Sequence, residues 1–454
     1  MMEGVLSQAA ESMHGNLYGS DGQFRGVSTD TRTLRAGELF FAIEGPHFDG
    51  NKFVNAAAER KAAAAVVSRQ CDSDLPNIAV ADTRLALGEL AAAWRRQLSA
   101  TVIGITGSNG KTTVKEMLAS CLSQSAETLA TRGNLNNDIG MPLVLLELDP
   151  KHEYAVIEMG ANHAGEIGYL SNIAQPDVVV ITNAAPAHLE GFGSLEGVSR
   201  AKAEILQHET RPRFAVLNAD DPFFSYWRTL VTDIELITFG IEQEATVSAT
   251  DIELHPTESR FVLQLPCGDL NVSLALPGAH NVLNACAAAA VAFGLDIDPV
   301  EIRQGLESAV PVSGRLQPLR GIKGASLYDD SYNANPVSVI AAAEFLAAEG
   351  GDTFLVLGDM GELGEGAQSL HEDVGRAARN AGIDRLMATG ELSLHTVSAF
   401  GSGADWYASS AELIDALKKE IGSNSNILVK GSRSTHMERV VDALRAAPDE
   451  QQEN

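Results

Sequence analysis

Cysteine is scarce: four residues in a chain of 454, Cys71, Cys121, Cys267 and Cys286, with no CxxC pair and no histidine at zinc spacing. That excludes a disulfide scaffold and a structural zinc site, and the four read as buried thiols. Basic residues are also in the minority, 33 Lys plus Arg against 60 Asp plus Glu, for a formal net charge of −27. Such a field repels polyanions, so nucleic acid is excluded as a partner. An anionic small substrate then needs a few lysines, arginines or metal ions that invert the potential locally. Long apolar runs are missing: the nearly pure run from Ala285 to Leu295 falls well short of the roughly 20 residues that cross a bilayer. The segment Met1 to Leu6 has no basic n-region and no sustained apolar stretch, so a secretory signal is not expected and the cytoplasm is the expected location.

What is there is the composition of a globular protein, 45% hydrophobic and 20% charged, and a length that suggests about three domains. The expected division is 1–84, 85–313 and 314–454. The first stretch mixes the apolar runs Glu38 to Ile43 and Ile78 to Val80 with an Ala-rich amphipathic stretch, Val54 to Val67, and reads as a small α/β unit. From residue 85 strand and helix signals alternate through Val102 to Ile105, Tyr154 to Ile157, Val178 to Ile181 and Phe214 to Leu217. Alternation of this kind predicts a mostly parallel sheet with crossover helices. Period-two runs within 245–276 predict antiparallel strands appended to it, and a helix-rich segment, Asn281 to Val310, closes the unit. After Gly314 the alternation restarts, with Asn335 capping a helix opened by Pro336, and predicts a Rossmann-like α/β domain. The polar tail from Pro448 to Asn454 is expected to fray.

The strongest local signal is Gly104-Ile105-Thr106-Gly107-Ser108-Asn109-Gly110-Lys111-Thr112-Thr113, a strand running into a Gly-rich turn that opens a helix. Backbone N–H groups in such a turn cradle phosphates, Lys111 reaches the outer phosphates, and the Thr112 hydroxyl is suited to Mg²⁺. Ile105 stands where the general phosphate-loop pattern has its first glycine, so the loop is a variant. It predicts ATP or GTP binding. Such a site needs a carboxylate for the metal, and Glu158 ends an apolar strand where open α/β sheets present their ligands. His188 follows a strand by a loop, and on spacing alone it reads equally well as a surface residue. Lys202 lies in a helix-like stretch, Leu195 to Gln207, where a lysine ordinarily faces solvent.

Taken in order, Gly107 to Thr113, Glu158 to Asn162, the His188 loop, Ala201 to Glu204, Gly278 to Ala285, Gly314-Arg315 and Asp329 to Pro336 resemble the successive signatures of the Mur ligases across nearly the whole chain. The runs Thr131 to Gly140, Glu158 to His163, Asp359 to Leu363 and Lys430 to Ser434 resemble the branch of that family that adds D-alanyl-D-alanine. Folylpolyglutamate synthases share the ATP loop but generally lack a leading domain of this size.

The resemblance implies an ATP-dependent ligase of peptidoglycan precursor synthesis, working with Mg²⁺, two ions being expected, on UDP-N-acetylmuramoyl-tripeptide and D-alanyl-D-alanine, as a monomer. It implies Lys111, Glu158, His188 and Lys202 as catalytic, with Thr112, Glu158, His188 and a carbamylated Lys202 at the metal. Nucleotide contacts would come from Gly107, Ser108, Asn109, Gly110, Lys111, Thr112 and Thr113, with His280, Asn281 and Asn284 by the adenine and Arg315 and Asp330 at the phosphates and ribose. Substrate contacts would come from Ser28, Thr29, Asp30 and Arg32 in a UDP-sugar pocket together with Phe41 to Gly50, from Asn134 and Asn137 at the reacting end, and from Asn333, Asn335, Lys430 and Arg433 around the dipeptide.

Overall fold

The computed structural model describes residues 2–45, 48–70, 73–207 and 210–447. Three α/β units follow one another, each built on its own sheet. The first is five-stranded, in the order Asn16–Tyr18, Asn77–Ala79, Ala64–Val67, Leu39–Phe41, Val27–Ser28. The Ala-rich stretch expected as one amphipathic element divides here: the helix Val54–Glu59 ends, Lys61 turns the chain with a φ of +61°, and Ala64–Val67 becomes a strand buried on both faces. A fully buried parallel strand has no polar side to alternate with, so its run of small apolar residues imitates a helix.

The central sheet has nine strands, ordered Thr128–Ala130, Tyr154–Glu158, Thr101–Thr106, Val178–Ile181, Phe214–Asn218, Glu235–Gly240, Val247–Leu254, Ser259–Leu265, Gly268–Leu274. The first seven run parallel and the last two join antiparallel, as the change of period predicts. The apolar run at Ala285 lies in the helix Ala279–Gly294, buried from Ala285 to Ala292 against the sheet. Among the described residues no helix is long and apolar enough to cross a membrane. The third sheet is ordered Gln317–Arg320, Ser326–Asp330, Ser425–Lys430, Asp352–Leu357, Arg385–Thr389, Ala404–Tyr407, parallel except for its first pair. As predicted, Asn335 caps the helix Pro336–Ala348 in a reciprocal capping box with Ser338.

The helix Thr83–Arg95, capped by the Asp82 carboxylate accepting from Arg84 N and Leu85 N, lies across residue 84. It packs against the helices Gly140–Leu145 and Glu166–Ala174, and one core runs from Leu6 and Phe41 through Leu87 and Leu90 to Val102 and Ile181. The first unit is therefore fused to the second by apolar packing. The expectation of four buried thiols holds for Cys121 and Cys286, but Cys267 is exposed, because it sits in the tight turn between the strands Ser259–Leu265 and Gly268–Leu274. Cys71 and the tail from Pro448 lie outside the described residues.

Closeness of packing is most demanding where the helix Pro299–Glu307 crosses Lys111–Leu122. A Cβ on Gly305 would stand 2.3 Å from Cys121 Cα and 2.5 Å from its N, contacts that force the helices apart. Gly305→Ala should therefore destabilise the central unit by about 1–3 kcal/mol, the usual cost of overpacking. A thermal midpoint equal to that of the wild type would show that this crossing gives way freely.

Candidate active site

The turn after Thr101–Thr106 is shaped by its glycines. Gly107 has a φ of +148°, and a Cβ there would lie 1.9 Å from Thr182 Oγ1; Gly110 has a φ of +82°, and its Cβ would lie 2.4 Å from Asn284 Oδ1. Only glycine permits these approaches. The loop is then pinned by the tail of the next strand. Ser108 N donates to Asn183 O (3.0 Å), Asn109 N to Asn183 Oδ1 (2.9 Å), and Thr182 Oγ1 to Asn109 O (2.6 Å). Ser108, Asn109, Gly110, Lys111 and Thr113 line a cleft of about 1670 Å³ at the N-terminus of the helix Lys111–Leu122.

Glu158, at the carboxyl end of its strand, is buried and accepts from Thr112 Oγ1 (2.8 Å) and Asn136 Nδ2 (2.7 Å), while its N–H donates to Thr131 Oγ1 (3.0 Å). Asn137 Oδ1 caps Gly140 N (2.8 Å) and, with Asn134, faces the cleft. Among the described residues no three His, Cys, Asp or Glu side chains converge on one point. A metal here would thus take a hydroxyl and one carboxylate from the chain, which suits Mg²⁺, an ion that keeps waters and phosphate oxygens for the rest of its shell. The residues fit that ion.

Two basic groups, Lys111 and His188, line the cleft, and a third, Lys202, is buried outside its lining. Lys111 Nζ donates to Gly107 O (2.7 Å) and Ser108 O (3.1 Å), and burial lowers it to about 8, opposed by Glu158 and aided by Arg315. Lys202 is buried, its Nζ 5.2 Å from the centroid of the Phe192 ring; burial and then Lys111 push it to about 7. It is not the solvated helix lysine that periodicity suggests. Burial also pulls the His188 imidazole below its usual range, Lys111 and Lys202 adding to the effect while Glu362 resists it. His188 Nδ1 meets Glu362, 174 positions away on the third unit.

The opposite wall comes from that third unit. Asn335 Nδ2 donates to Asn109 Oδ1 (2.7 Å), and Arg315 stacks with its Cζ 4.4 Å from the Tyr332 ring centroid, Arg433 lying 5.9 Å from the same ring. Lys430 Nζ is committed to Asp330 Oδ2 (2.6 Å) and Asn333 O (3.0 Å), and Asn333 Oδ1 to Ala334 N (2.9 Å). His280 and Asn284 line the cleft with Asn281, whose Nδ2 donates to Pro277 O (2.7 Å). The structure does not bring Ser28, Thr29, Asp30 and Arg32 into this cleft. They form a separate surface turn in which Arg32 pairs with Asp30 (2.7 Å); of Phe41 to Gly50, Pro46 and His47 lie outside the described residues. Asn136, Tyr332 and Glu362 are site residues that reading the sequence for chemistry passed over, although all three sit inside the runs that carry the resemblance.

A parallel sheet whose central strand ends in a phosphate loop, facing a second α/β unit across one cleft, defines an enzyme that handles a nucleotide between two domains. The chain belongs to the Mur ligase family. It matches the Mur ligase middle domain at residues 105–292, the "Mur ligase, glutamate ligase domain" at 314–433 and the "Mur ligase family, catalytic domain" at 23–95. It is 44% identical to the UDP-N-acetylmuramoyl-tripeptide--D-alanyl-D-alanine ligase of Escherichia coli K12, over 98% of this chain and 99% of that one. Among solved structures it resembles MurF from Acinetobacter baumannii (TM-score 0.92, 39% identity, 97% and 98% covered) and MurF from Thermotoga maritima in complex with ADP (TM-score 0.82, 28% identity, 92% and 96% covered).

The position of Lys202 has a consequence for stability. With its folded-state value lowered to about 7 and an unfolded value of about 10.4, the folded chain binds fewer protons than the unfolded one between those values. Lys202 therefore costs stability at neutral pH, on the order of a few kcal/mol, and the cost fades as pH rises toward 10. In bicarbonate-free buffer Lys202→Met should raise the melting temperature at pH 7 and remove part of the gain seen on going to pH 10. An unchanged pH profile would place this amine in water.

Proposed function

We propose that this protein is an ATP-dependent ligase that joins D-alanyl-D-alanine to UDP-N-acetylmuramoyl-tripeptide, releasing ADP and phosphate, in cytoplasmic peptidoglycan precursor synthesis. The observation that carries the reading is that the phosphate loop and Glu158, held by Thr112, on one wall, and Arg315 and Arg433 on the other, line a single cleft. The names of the relatives supply the substrates.

A carboxylate is a poor acyl donor because its leaving oxygen is an anion. In this reading the terminal carboxylate oxygen of the tripeptide attacks the γ-phosphorus of ATP, the bond to the β-bridging oxygen breaks, and ADP leaves as an acyl phosphate forms. The dipeptide amine then attacks the acyl carbon, loses a proton, and expels phosphate as the amide closes. The loop amides and Lys111 hold the phosphates and answer the charge that builds on the transferring oxygens. Thr112, Glu158, His188 and a carbamylated Lys202 would hold two Mg²⁺ ions, which when bound neutralise phosphate oxygens. The lowered value of Lys202 supports the carbamate: a neutral amine can add to CO₂, losing a proton and gaining two oxygen donors. His280, Asn281 and Asn284 would flank the adenine. Of the dipeptide residues, Arg433 is the one suited to a carboxylate, since its own pairing with Glu438 is long (3.8 Å) and exposed, whereas Lys430 is held by Asp330 at 2.6 Å in a buried pair and Asn333 and Asn335 serve the backbone and Asn109. Asp330, so paired, would shape the ribose side. Asn134 and Asn137 would face the acyl end, and Ser28, Thr29, Asp30 and Arg32 the distant UDP-sugar.

The test is ADP release together with product mass. Release should require both UDP-muramoyl tripeptide and D-alanyl-D-alanine, and a single amino acid in place of the dipeptide should be a very poor acceptor; more efficient addition of a single amino acid would sink the assignment. Lys111→Ala and Glu158→Ala should each lower turnover by on the order of a hundredfold or more with the fold intact.

For Lys202→Ala, lost activity should return in part when a small carboxylate is supplied. Full activity without rescue would remove Lys202 from the site.

A further inference from the structure

Two residues of the interface between the second and third units adopt a backbone conformation that side chains rarely take. His188 has a φ of +54° and Glu362 a φ of +61°, both in the left-handed region that favours glycine or asparagine. They are the two residues that meet: His188 Nδ1 pairs with the Glu362 carboxylate across the domain boundary, and Glu190 N donates to Glu362 O beside it (3.2 Å). The pair adds little to the stability of either unit's fold, because the His188 and Glu362 side chains remain 28% and 56% exposed and ion pairs of that exposure contribute little. Its small energy bears instead on the docking of the two units, which rests on a few polar contacts. A strained backbone kept on both sides of a weak contact points to function.

The loop bearing Glu362 is also held with unusual care. His371, buried, accepts from Met360 N at Nε2 (3.0 Å) while its Nδ1 faces Ala367 O (2.7 Å), which fixes the neutral Nδ1–H tautomer. Gly361 N donates to Ser432 Oγ (2.6 Å), and Asp359 Oδ1 accepts from Ser393 N and Oγ (2.8 and 2.6 Å). Every residue from Asp359 to Gly361 is thus fixed to the body of the third unit, and Glu362 reaches across, its carbonyl to Glu190 N and its carboxylate to His188.

We propose that Glu362 is a positioning residue supplied in the docked arrangement: its carboxylate takes the Nδ1 side of His188, so that Nε2 faces the cleft in one orientation only when the third unit is in place. A carboxylate behind a histidine is the general means of fixing its tautomer and ring plane. The proposal rests on the ligase reading for its kinetic arm alone.

Three variants test it. Glu362→Gly and Glu362→Asn relieve or tolerate the left-handed backbone, so their melting temperatures should equal or exceed that of the wild type. Their kcat should nevertheless fall at least tenfold, with the KM for ATP changed less than threefold, and Glu362→Gln, which keeps length and an acceptor oxygen, should recover part of the loss. Small-angle scattering with Mg²⁺ and a non-hydrolysable ATP analogue gives a second readout: the wild type should scatter as the docked structure, the glycine and asparagine variants as more extended molecules. Docking and turnover within twofold of wild type in both variants would overturn the proposal, and so would a kcat loss that tracks a fall in melting temperature without rescue by glutamine. If the wild type shows no ligase turnover while docking still depends on Glu362, the ligase reading fails and the positioning role stands.

Discussion

Burial makes Lys111, His188 and Lys202 each harder to protonate, and Lys111 adds to the effect on both of the others. The rest of the site follows from that constraint. Like charges in a desolvated space are tolerable only if something anionic shares the space with them. Among the described residues Glu158 opposes the effect on Lys111, Glu204 and Glu166 that on Lys202, and Glu362 that on His188. Of these only Glu158 is buried, already bonded to Thr112 and Asn136. Beside the phosphate loop, where Lys111 has only the already bonded Glu158 against it, further countercharge comes from what binds. A polyphosphate meets that requirement, because backbone amides at the helix N-terminus and a lysine act on the same oxygens.

Holding cations in this state requires rigid walls, and the sheet provides them. The three strands that present Thr106, Glu158 and Ile181 are buried on both faces, so each strand end is set by core packing. The loops beyond those ends then brace one another: Thr182 and Asn183 hold the phosphate loop, Thr131 holds Glu158, and Lys115, fully buried, donates to the Thr131 carbonyl. The second wall is different in kind. It meets the first through a few polar contacts, Asn335 with Asn109 and Glu362 with His188 and Glu190, whereas the first and second units share a continuous apolar core. Polar contacts exchange readily with water, so the joint between the second and third units is the one able to open for substrates.

This difference also explains what could be read from the sequence. Signals confined to one strand and one turn were legible: Val178 to Ile181 is the strand itself, and Gly107 to Thr113 is the loop and helix start. Edge strands such as Thr128–Ala130 and Ala404–Tyr407 were not, being short and half-exposed, and Ala64–Val67 was hidden by small residues that suit helix and buried strand alike. Lys202 could not be judged from periodicity, because its burial depends on the chain around Phe192 and on neighbouring helices. Only the resemblance to a family brought it into the site. Lys430 shows the opposite failure: a lysine after a strand looks free for a carboxylate substrate, yet its partner Asp330 comes from the adjacent strand.

The pairing of Lys430 with Asp330 matters for a chain with a net charge of −27. Such a chain repels a nucleotide and a UDP-sugar alike at long range, so binding must rely on charges that act at short range and are not already cancelled. Lys430 fails that condition. Arg315 meets it: it lies over the Tyr332 ring, and a π-face holds a guanidinium in place without neutralising its charge as a carboxylate would. Arg433, over the same ring, also meets Glu438 at 3.8 Å, a looser and more exposed pairing than that of Lys430. The aromatic ring thus lets Arg315 and Arg433 face one cleft from the third unit, the cleft that Lys111 lines from the other wall. Attraction toward the cleft is therefore concentrated where both walls contribute cations, and it is complete only when the walls are together.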